Sequence, residues 1–246
     1  MKNVYDLETF FEAYMQIRDN PNNYNSLLEQ PALFRLLGPV KGKRILDLGC
    51  GFGDAAAKLA SMGAACVKGI DISEKMLSKA KSLYSGIPGL EFERLDMAEA
   101  HSLSGTYDAV TSSLAVHYVE DFGKLACDVF RLLEPGGVFV FSQEHPMTTA
   151  PKFGPGYTLN PLNDKPLYYN LADYGLSGAR SSEWLGVSVG KYHRTFTDLA
   201  RSLIGAGFCI ADIEEPLPSP ADVERNPQIE KEYHKPSFLL IKCQKR

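Results

Sequence analysis

The chain has 246 residues, with Lys+Arg 26 against Asp+Glu 30, a formal net charge of −4, 44% hydrophobic and 23% charged residues. These proportions exclude disordered, collagen-like and coiled-coil classes and leave a soluble protein of one large domain, or a domain with an insertion, with no basic excess to recruit DNA or RNA. Apolar runs far shorter than the ~20 residues of a membrane span, acids and Arg18 in place of a signal-peptide core over 1–20, and five scattered cysteines without a CxxC pair predict a cytoplasmic protein without a membrane partner.

Residues 1–38 read as a helical cap, with Phe10, Phe11, Tyr14 and Ile17 spaced as one helix face, a break at 20–23 and a second helix over 26–37. From residue 44 the pattern becomes strand (44–48), glycine turn (49–53) and helix (55–62). A second unit follows, with a strand at 66–70, Ser73 as candidate N-cap and a helix over 74–84 that sets Met76, Leu77, Ala80 and Leu83 on one face. Strands at 91–95 and 107–112, a helix at 122–133, a turn at 135–137 and a strand at 138–142 continue the alternation, which predicts an α/β doubly wound parallel sheet. The stretch from Glu144 to Arg194 is rich in Pro, Gly, Asn and Tyr, breaks that rhythm and reads as an insertion over the sheet. A helix at 197–206, a strand at 208–213, a loop and a last, antiparallel strand at 237–243 complete the chain. The expected organisation is a single domain, 1–246, divided into a cap (1–38), a cofactor-binding core (40–145), a lid (146–194) and the C-terminal part of the sheet (195–246).

Ile45-Leu46-Asp47-Leu48-Gly49-Cys50-Gly51-Phe52-Gly53 runs a strand into a glycine turn that opens a helix. Glycine there lets a ligand approach the backbone, and the helix N-terminus offers free N–H groups, as for a nucleotide-like cofactor. The dinucleotide fingerprint fails, because its third glycine position is Asp54. Asp47 and Asp54 would repel a pyrophosphate and suit a ligand with positive charge or hydroxyl donors. Asp71 ends the second strand 20 residues after Gly51, where an acid takes ribose hydroxyls. Asp96 ends the third strand, placed to accept from an adenine amino group while Ile72, Met76 and Met97 cover the ring.

These residues resemble the class I S-adenosylmethionine-dependent methyltransferases, in particular the small-molecule type-11 group with ubiquinone-biosynthesis-like members. Asp47-Leu48-Gly49-Cys50-Gly51-Phe52-Gly53 is similar to their first motif, Gly69-Ile70-Asp71-Ile72-Ser73 to their second-strand motif and Asp96-Met97 to their adenine contact. Tyr107-Asp108-Ala109-Val110 with Leu114-Ala115-Val116-His117-Tyr118 resembles the fourth strand and its loop, and Leu132-Leu133-Glu134-Pro135-Gly136-Gly137 the turn into the fifth. The resemblance is strong over 40–145. It implies a seven-stranded Rossmann-like sheet with an antiparallel last strand, and S-adenosylmethionine, converted to S-adenosylhomocysteine, extended along the ends of strands one to four. Carried over by position, it sets the methionine part against Asp47, Gly49, Cys50 and Gly51, with Ser112 and Ser113 after strand four. For the methionine carboxylate the expected donor is Arg18, aided by Tyr14 on the same helix face.

Methyl transfer from a sulfonium needs alignment more than acid–base help, so a base is optional. His145, with Glu144, and His117 follow strands five and four at the mouth of the expected site; His145 is the preferred base and His193 a third candidate, while His101 and His234 read as surface. Phe153, Tyr157, Tyr168, Tyr169, Tyr174 and Trp184 suit a lid over an apolar acceptor pocket. No zinc spacing and no magnesium-binding acid after strand four are present, so no metal is expected. The expected function is methylation of a small-molecule acceptor by a monomer or homodimer. Two rivals are a non-catalytic S-adenosylmethionine-binding sensor or partner subunit, and a nicotinamide-dependent oxidoreductase, which Asp54 disfavours.

Overall fold

The computed structural model describes residues 4–153 and 156–246; residues 1–3 of the expected cap and 154–155 of the expected lid lie outside the described residues. In chain order the elements are α1 (Glu8–Asp19), a π-helical turn (Asn25–Glu29) leading into α2 (Gln30–Leu37), β1 (Arg44–Leu48), α3 (Asp54–Ser61), β2 (Cys66–Asp71), α4 (Glu74–Tyr84), β3 (Leu90–Arg94), β4 (Tyr107–Ser112), α5 (Phe122–Leu132) and β5 (Leu133–Glu144). There follow α6 (Pro146–Thr149), β6 (Tyr157–Leu159), β7 (Pro166–Tyr169), β8 (Gly178–Trp184), β9 (Val187–His193), α7 (Phe196–Gly205), β10 (Cys209–Glu214), α8 (Pro220–Arg225) and β11 (Phe238–Gln244).

Seven strands form one sheet in the order β10-β11-β5-β4-β1-β2-β3. Five neighbours, β3 to β5, run parallel, and β11 is antiparallel to both β5 and β10. Central strands are largely apolar because both faces are buried, with their buried polar residues, such as Asp47, Thr111 and Ser142, towards the carboxyl ends. Ile45, Val67, Ala109, Val140 and Leu240 meet α2 and α3, whereas Leu46, Val110, Phe139, Phe141 and Ile241 meet α5 and α7. The expected doubly wound sheet and its antiparallel last strand are therefore present.

Three regions differ from expectation. The turn at 135–137 is absorbed into β5 as a bulge: Tyr107 pairs with Leu133 but Ala109 with Val138, and Gly136 (φ 80°) donates its N–H to Lys245 O at 2.8 Å. The loop after β10 contains α8, started by a Ser219–Asp222 capping box with Pro220 in the first turn. The insertion contains two antiparallel hairpins, β6–β7 and β8–β9, each a separate two-stranded sheet. Trp184 pairs with Val187, so Leu185 and Gly186 form a two-residue turn with φ of 51° and 77°, the twist-compatible hairpin connection. Among the described residues no helix is long and apolar enough to cross a membrane.

Candidate active site

The end of β1 passes into the glycine loop under tight backbone control. Gly49 and Cys50 donate their N–H groups to Ile70 O at 2.8 and 2.9 Å, and Gly53 donates to Cys50 O at 2.9 Å. Gly49 adopts φ +70°, and a Cβ there would lie 2.5 Å from the Ala115 Cβ and 2.8 Å from the Met97 Cε. Asp71 ties this loop to the next helix: Oδ2 accepts the Gly51 N–H and Oδ1 the Ser73 N–H, both at 2.8 Å. Ser73 is the N-cap of α4, accepting the Met76 N–H at 3.2 Å and donating to Asp6 Oδ1 at 2.7 Å. Asp96 caps the 3-10 turn Met97–Ser102, Oδ1 accepting the Ala98 N–H at 2.9 Å.

A cavity of about 650 Å³ opens above these strand ends, within the usual range of small-molecule sites, ~300–1,000 Å³. Asp47, Gly49, Cys50 and Gly51 line it from the glycine loop. Asp71, Ile72, Met76, Asp96 and Met97 line it from the ends of β2 and β3 and from α4, and Tyr14, Arg18, Ser113 and His117 complete the set expected from sequence. Two expected residues are not brought there. Ser112 is fully buried and spends its hydroxyl on Leu48 O at 2.8 Å. His145 caps α6, its Nδ1 accepting the Met147 N–H at 3.1 Å and its Nε2 lying 2.7 Å from Glu215 Oε1. Glu144 and His145 are consecutive at the end of a strand, so their side chains take opposite directions, and only Glu144 reaches the cavity. His193 is also engaged elsewhere, with Thr149 Oγ1 at 2.8 Å and Tyr174 O at 2.9 Å.

Two buried carboxylates stand out. Asp47 is 1% exposed, its Oδ2 has no hydrogen-bond partner, and burial, with Asp71 and Glu29 nearby, pushes its carboxyl up to about 7. Glu29 is fully buried; Oε1 accepts the hydroxyls of Ser113 (2.9 Å) and Ser142 (2.5 Å), Oε2 has no partner, and burial raises its pKa despite both serines. Glu29 was not singled out from sequence, although a glutamate at the end of an apolar helical run was the available signal. Arg18 is held by Asp54, the first residue of α3, at 2.9 Å, and Asp54 also accepts the Tyr84 hydroxyl at 2.8 Å. Because that ion pair is partly exposed and the guanidinium keeps further donors, Arg18→Ala is expected to weaken cofactor binding by about three- to tenfold and barely move thermal stability. Calorimetric titration of the variant checks this; unchanged affinity would remove Arg18 from the site.

At the other end of the cavity, burial drives the His117 pKa down to about 4, with Lys191 and Arg194 acting in the same direction and Glu144 against them, so the imidazole is neutral near pH 7. Its Nδ1 accepts the Glu144 N–H at 3.5 Å, and its Nε2 lies 3.9 Å from Glu144 Oε1. Both Glu144 oxygens bind Lys191 Nζ, at 2.8 and 2.6 Å. Burial works against the Glu144 charge, but His117 and Lys191 hold the carboxyl below its usual range. Lys191 comes from β9 and was not anticipated, since only the hairpin's return across the cavity brings it to Glu144.

Aromatic rings cover the site. Trp184, at the end of β8, meets Phe10 and Tyr14 of α1 edge to face at 5.3 and 5.7 Å, and Tyr14 also packs on Phe52 at 5.7 Å. Of the six insertion aromatics expected over the acceptor, Trp184 alone lines the cavity. Phe153 and Tyr168 are exposed, Tyr157 packs on Tyr169, and Tyr174 holds the Phe196 N–H. Among the described residues no cluster of His, Cys, Asp or Glu could hold a metal ion.

Residues 45–137 match the family described as a methyltransferase domain. An uncharacterized protein of Haemophilus influenzae is 37% identical over 98% of this chain and 96% of its own length. The demethylmenaquinone methyltransferase of Clavibacter sepedonicus is 33% identical over 75% of this chain and 73% of its own. The crystal structure of an S-adenosylmethionine-dependent methyltransferase from Mesorhizobium loti superposes with a TM-score of 0.82 at 39% identity, covering 88% of this chain and 97% of that one.

Proposed function

Because the chain belongs to the class I S-adenosylmethionine-dependent methyltransferases, we propose that its cavity binds the cofactor along the ends of β1 to β4 and presents the methyl group to a small-molecule acceptor beside the β8–β9 hairpin. The observation that carries this reading is the unpartnered Asp47 Oδ2, a buried acceptor beside a glycine loop with a second orphaned carboxylate oxygen, on Glu29, close by. Buried acceptors without donors are costly, and an ammonium supplies what they lack. The residues present thus fit the methionine end of the cofactor. Asp71 would take the ribose hydroxyls, Asp96 the adenine amino group, and Ile72, Met76 and Met97 the ring faces; Arg18 would take the carboxylate.

When bound, S-adenosylmethionine supplies a methyl carbon activated by a sulfonium. The chain's own part is to fix the acceptor in line and keep water out, which the rings of Tyr14, Phe52 and Trp184 do by closing α1 and the hairpin over the cavity. The Clavibacter sepedonicus relative is named for demethylmenaquinone, which supports a small molecule as the acceptor here.

Calorimetric titration with S-adenosylmethionine, S-adenosylhomocysteine and NAD tests the reading. Both sulfur compounds are expected to bind and NAD to fail. NAD binding without S-adenosylmethionine binding would overturn the assignment, and cofactor binding with no S-adenosylhomocysteine formed on any acceptor would favour the non-catalytic sensor.

A further inference from the structure

Beyond the glycine loop the cavity wall includes a group of aromatic rings and the shielded carboxylate of Glu144. Tyr5 lies 5.6 Å from the Tyr14 ring and donates to the Tyr118 hydroxyl at 3.1 Å, while Tyr14 meets Trp184 at 5.7 Å. These four residues come from separate segments and all line the cavity. Ring faces attract cations, and aromatic cages are a recurrent means of holding alkylammonium groups. Next to them Glu144 already carries an ammonium, the Lys191 Nζ, on both of its oxygens. Six carboxylates line the cavity (Asp47, Asp54, Asp71, Asp96, Glu144, Glu183) against two cations, Arg18 and Lys191. A wall of that sign draws in a cationic molecule and repels a carboxylate or phosphate ester, and one sulfonium does not cancel the excess.

Resting on the methyltransferase reading above, we propose that the acceptor is a small primary or secondary amine, its nitrogen received between the rings of Tyr14, Tyr118 and Trp184 and the Glu144 carboxylate. Lys191 on the same carboxylate then has a defined part. A second fixed positive charge favours the free-base form of the incoming amine, which sheds a proton to solvent and exposes its lone pair. That lone pair forms the bond to the methyl carbon as the carbon–sulfur bond breaks, the bonding pair staying on sulfur. The methylated ammonium product faces the same rings and carboxylate and loses its proton to solvent on release. Neutral His117 spends its one acceptor nitrogen, Nδ1, on the Glu144 N–H, which leaves Nε2 as a donor and no lone pair to take a proton. An alcohol would have to give up its proton during transfer, and neither a buried carboxylate held ionised by Lys191 nor this imidazole is a base strong enough to take it.

Trp184 is the only tryptophan of the chain and lines the cavity, so its fluorescence reports on this end of the site. The full-length protein, saturated with S-adenosylhomocysteine, is titrated with benzylamine, benzyl alcohol and benzoate, three probes of one shape and different charge. Benzylamine is expected to bind at least about tenfold tighter than the other two. Glu144→Gln should lose that preference, and Lys191→Met, which removes the competing ammonium, should tighten benzylamine. S-adenosylhomocysteine affinity, measured by calorimetry, should stay within about twofold in both variants and certifies that they fold. Equal or tighter binding of benzyl alcohol or benzoate, no response to any of the three, or an unchanged preference in Glu144→Gln would overturn the amine assignment while leaving the cofactor site standing. Failure of S-adenosylhomocysteine to bind the unmodified protein would instead overturn the methyltransferase reading beneath it.

Discussion

Gly49→Ala is expected to weaken cofactor binding by about a hundredfold or more and to lower the melting temperature. The left-handed backbone at this position costs a residue with a side chain roughly 1–2 kcal/mol. The added methyl would also sit 2.5 Å from the Ala115 Cβ and 2.8 Å from the Met97 Cε. Met97 can swing away, but the Ala115 Cβ is fixed to the backbone, so the segment after β4 must shift. That segment has no slack: Leu114 already holds φ at 50° and donates its N–H to Ser142 Oγ at 2.9 Å. Overpacking of this kind costs about 1–3 kcal/mol, and the shift would displace Ser113, the link to Glu29. Paired thermal melts and calorimetric titrations of both proteins measure the two losses. Affinity retained within threefold would show that the loop does not seat the cofactor.

Asp47→Asn should be nearly as damaging to binding, with a distinctive pH signature. In the empty protein the Asp47 carboxyl titrates near 7, against 3.8 for an ordinary aspartate. Between those values the folded chain holds a proton that the unfolded chain has lost, so the stability of the empty protein falls as pH rises through that window. A cationic ligand favours the ionised carboxylate and expels the proton. Cofactor affinity should therefore climb by up to about tenfold per pH unit below 7 and level off above it. The asparagine variant removes the titrating group, so its affinity should be flat from pH 5.5 to 8.5, and about ten- to hundredfold weaker at pH 8 for loss of a charge-assisted contact. Titrating S-adenosylhomocysteine across that range reads both effects. A flat profile in the unmodified protein would place the cation seat elsewhere.

What could be read in advance follows a physical division. Ile45 to Leu48 and Val138 to Ser142 announce themselves because a strand buried on both faces is largely apolar, and Ser73 because a helix end needs a side-chain acceptor. The placement of Asp47, Asp71 and Asp96 along one cavity was legible because each lies within two residues of a strand's carboxyl end, and parallel topology collects such ends on one edge. The same uniform burial hid the phase of β5. With no alternation to mark its faces, nothing local says whether Glu144 or His145 turns inward, and the choice of His145 failed there. Glu29 and Lys191 required more than phase. One depends on a π-helical turn that shifts the register of the cap, the other on a contact across 47 positions made by a hairpin whose Gly- and Pro-rich surroundings resemble a loop. The two-residue Leu185-Gly186 turn was the missed clue.

The β8–β9 hairpin forms its backbone ladder only within itself and shares none with the seven-stranded sheet. Its side chains can therefore vary without disturbing the register of any strand that carries Asp47, Asp71 or Asp96. Inheritance can act on the two halves at different rates, so descendants of one chain could exchange acceptors by altering Ser182, Trp184, Val189 and Lys191 while the cofactor chemistry stays unchanged. For anyone redirecting this protein toward a new acceptor, that ribbon is the place to randomise, with Glu144 at the end of β5 varied alongside its partner Lys191.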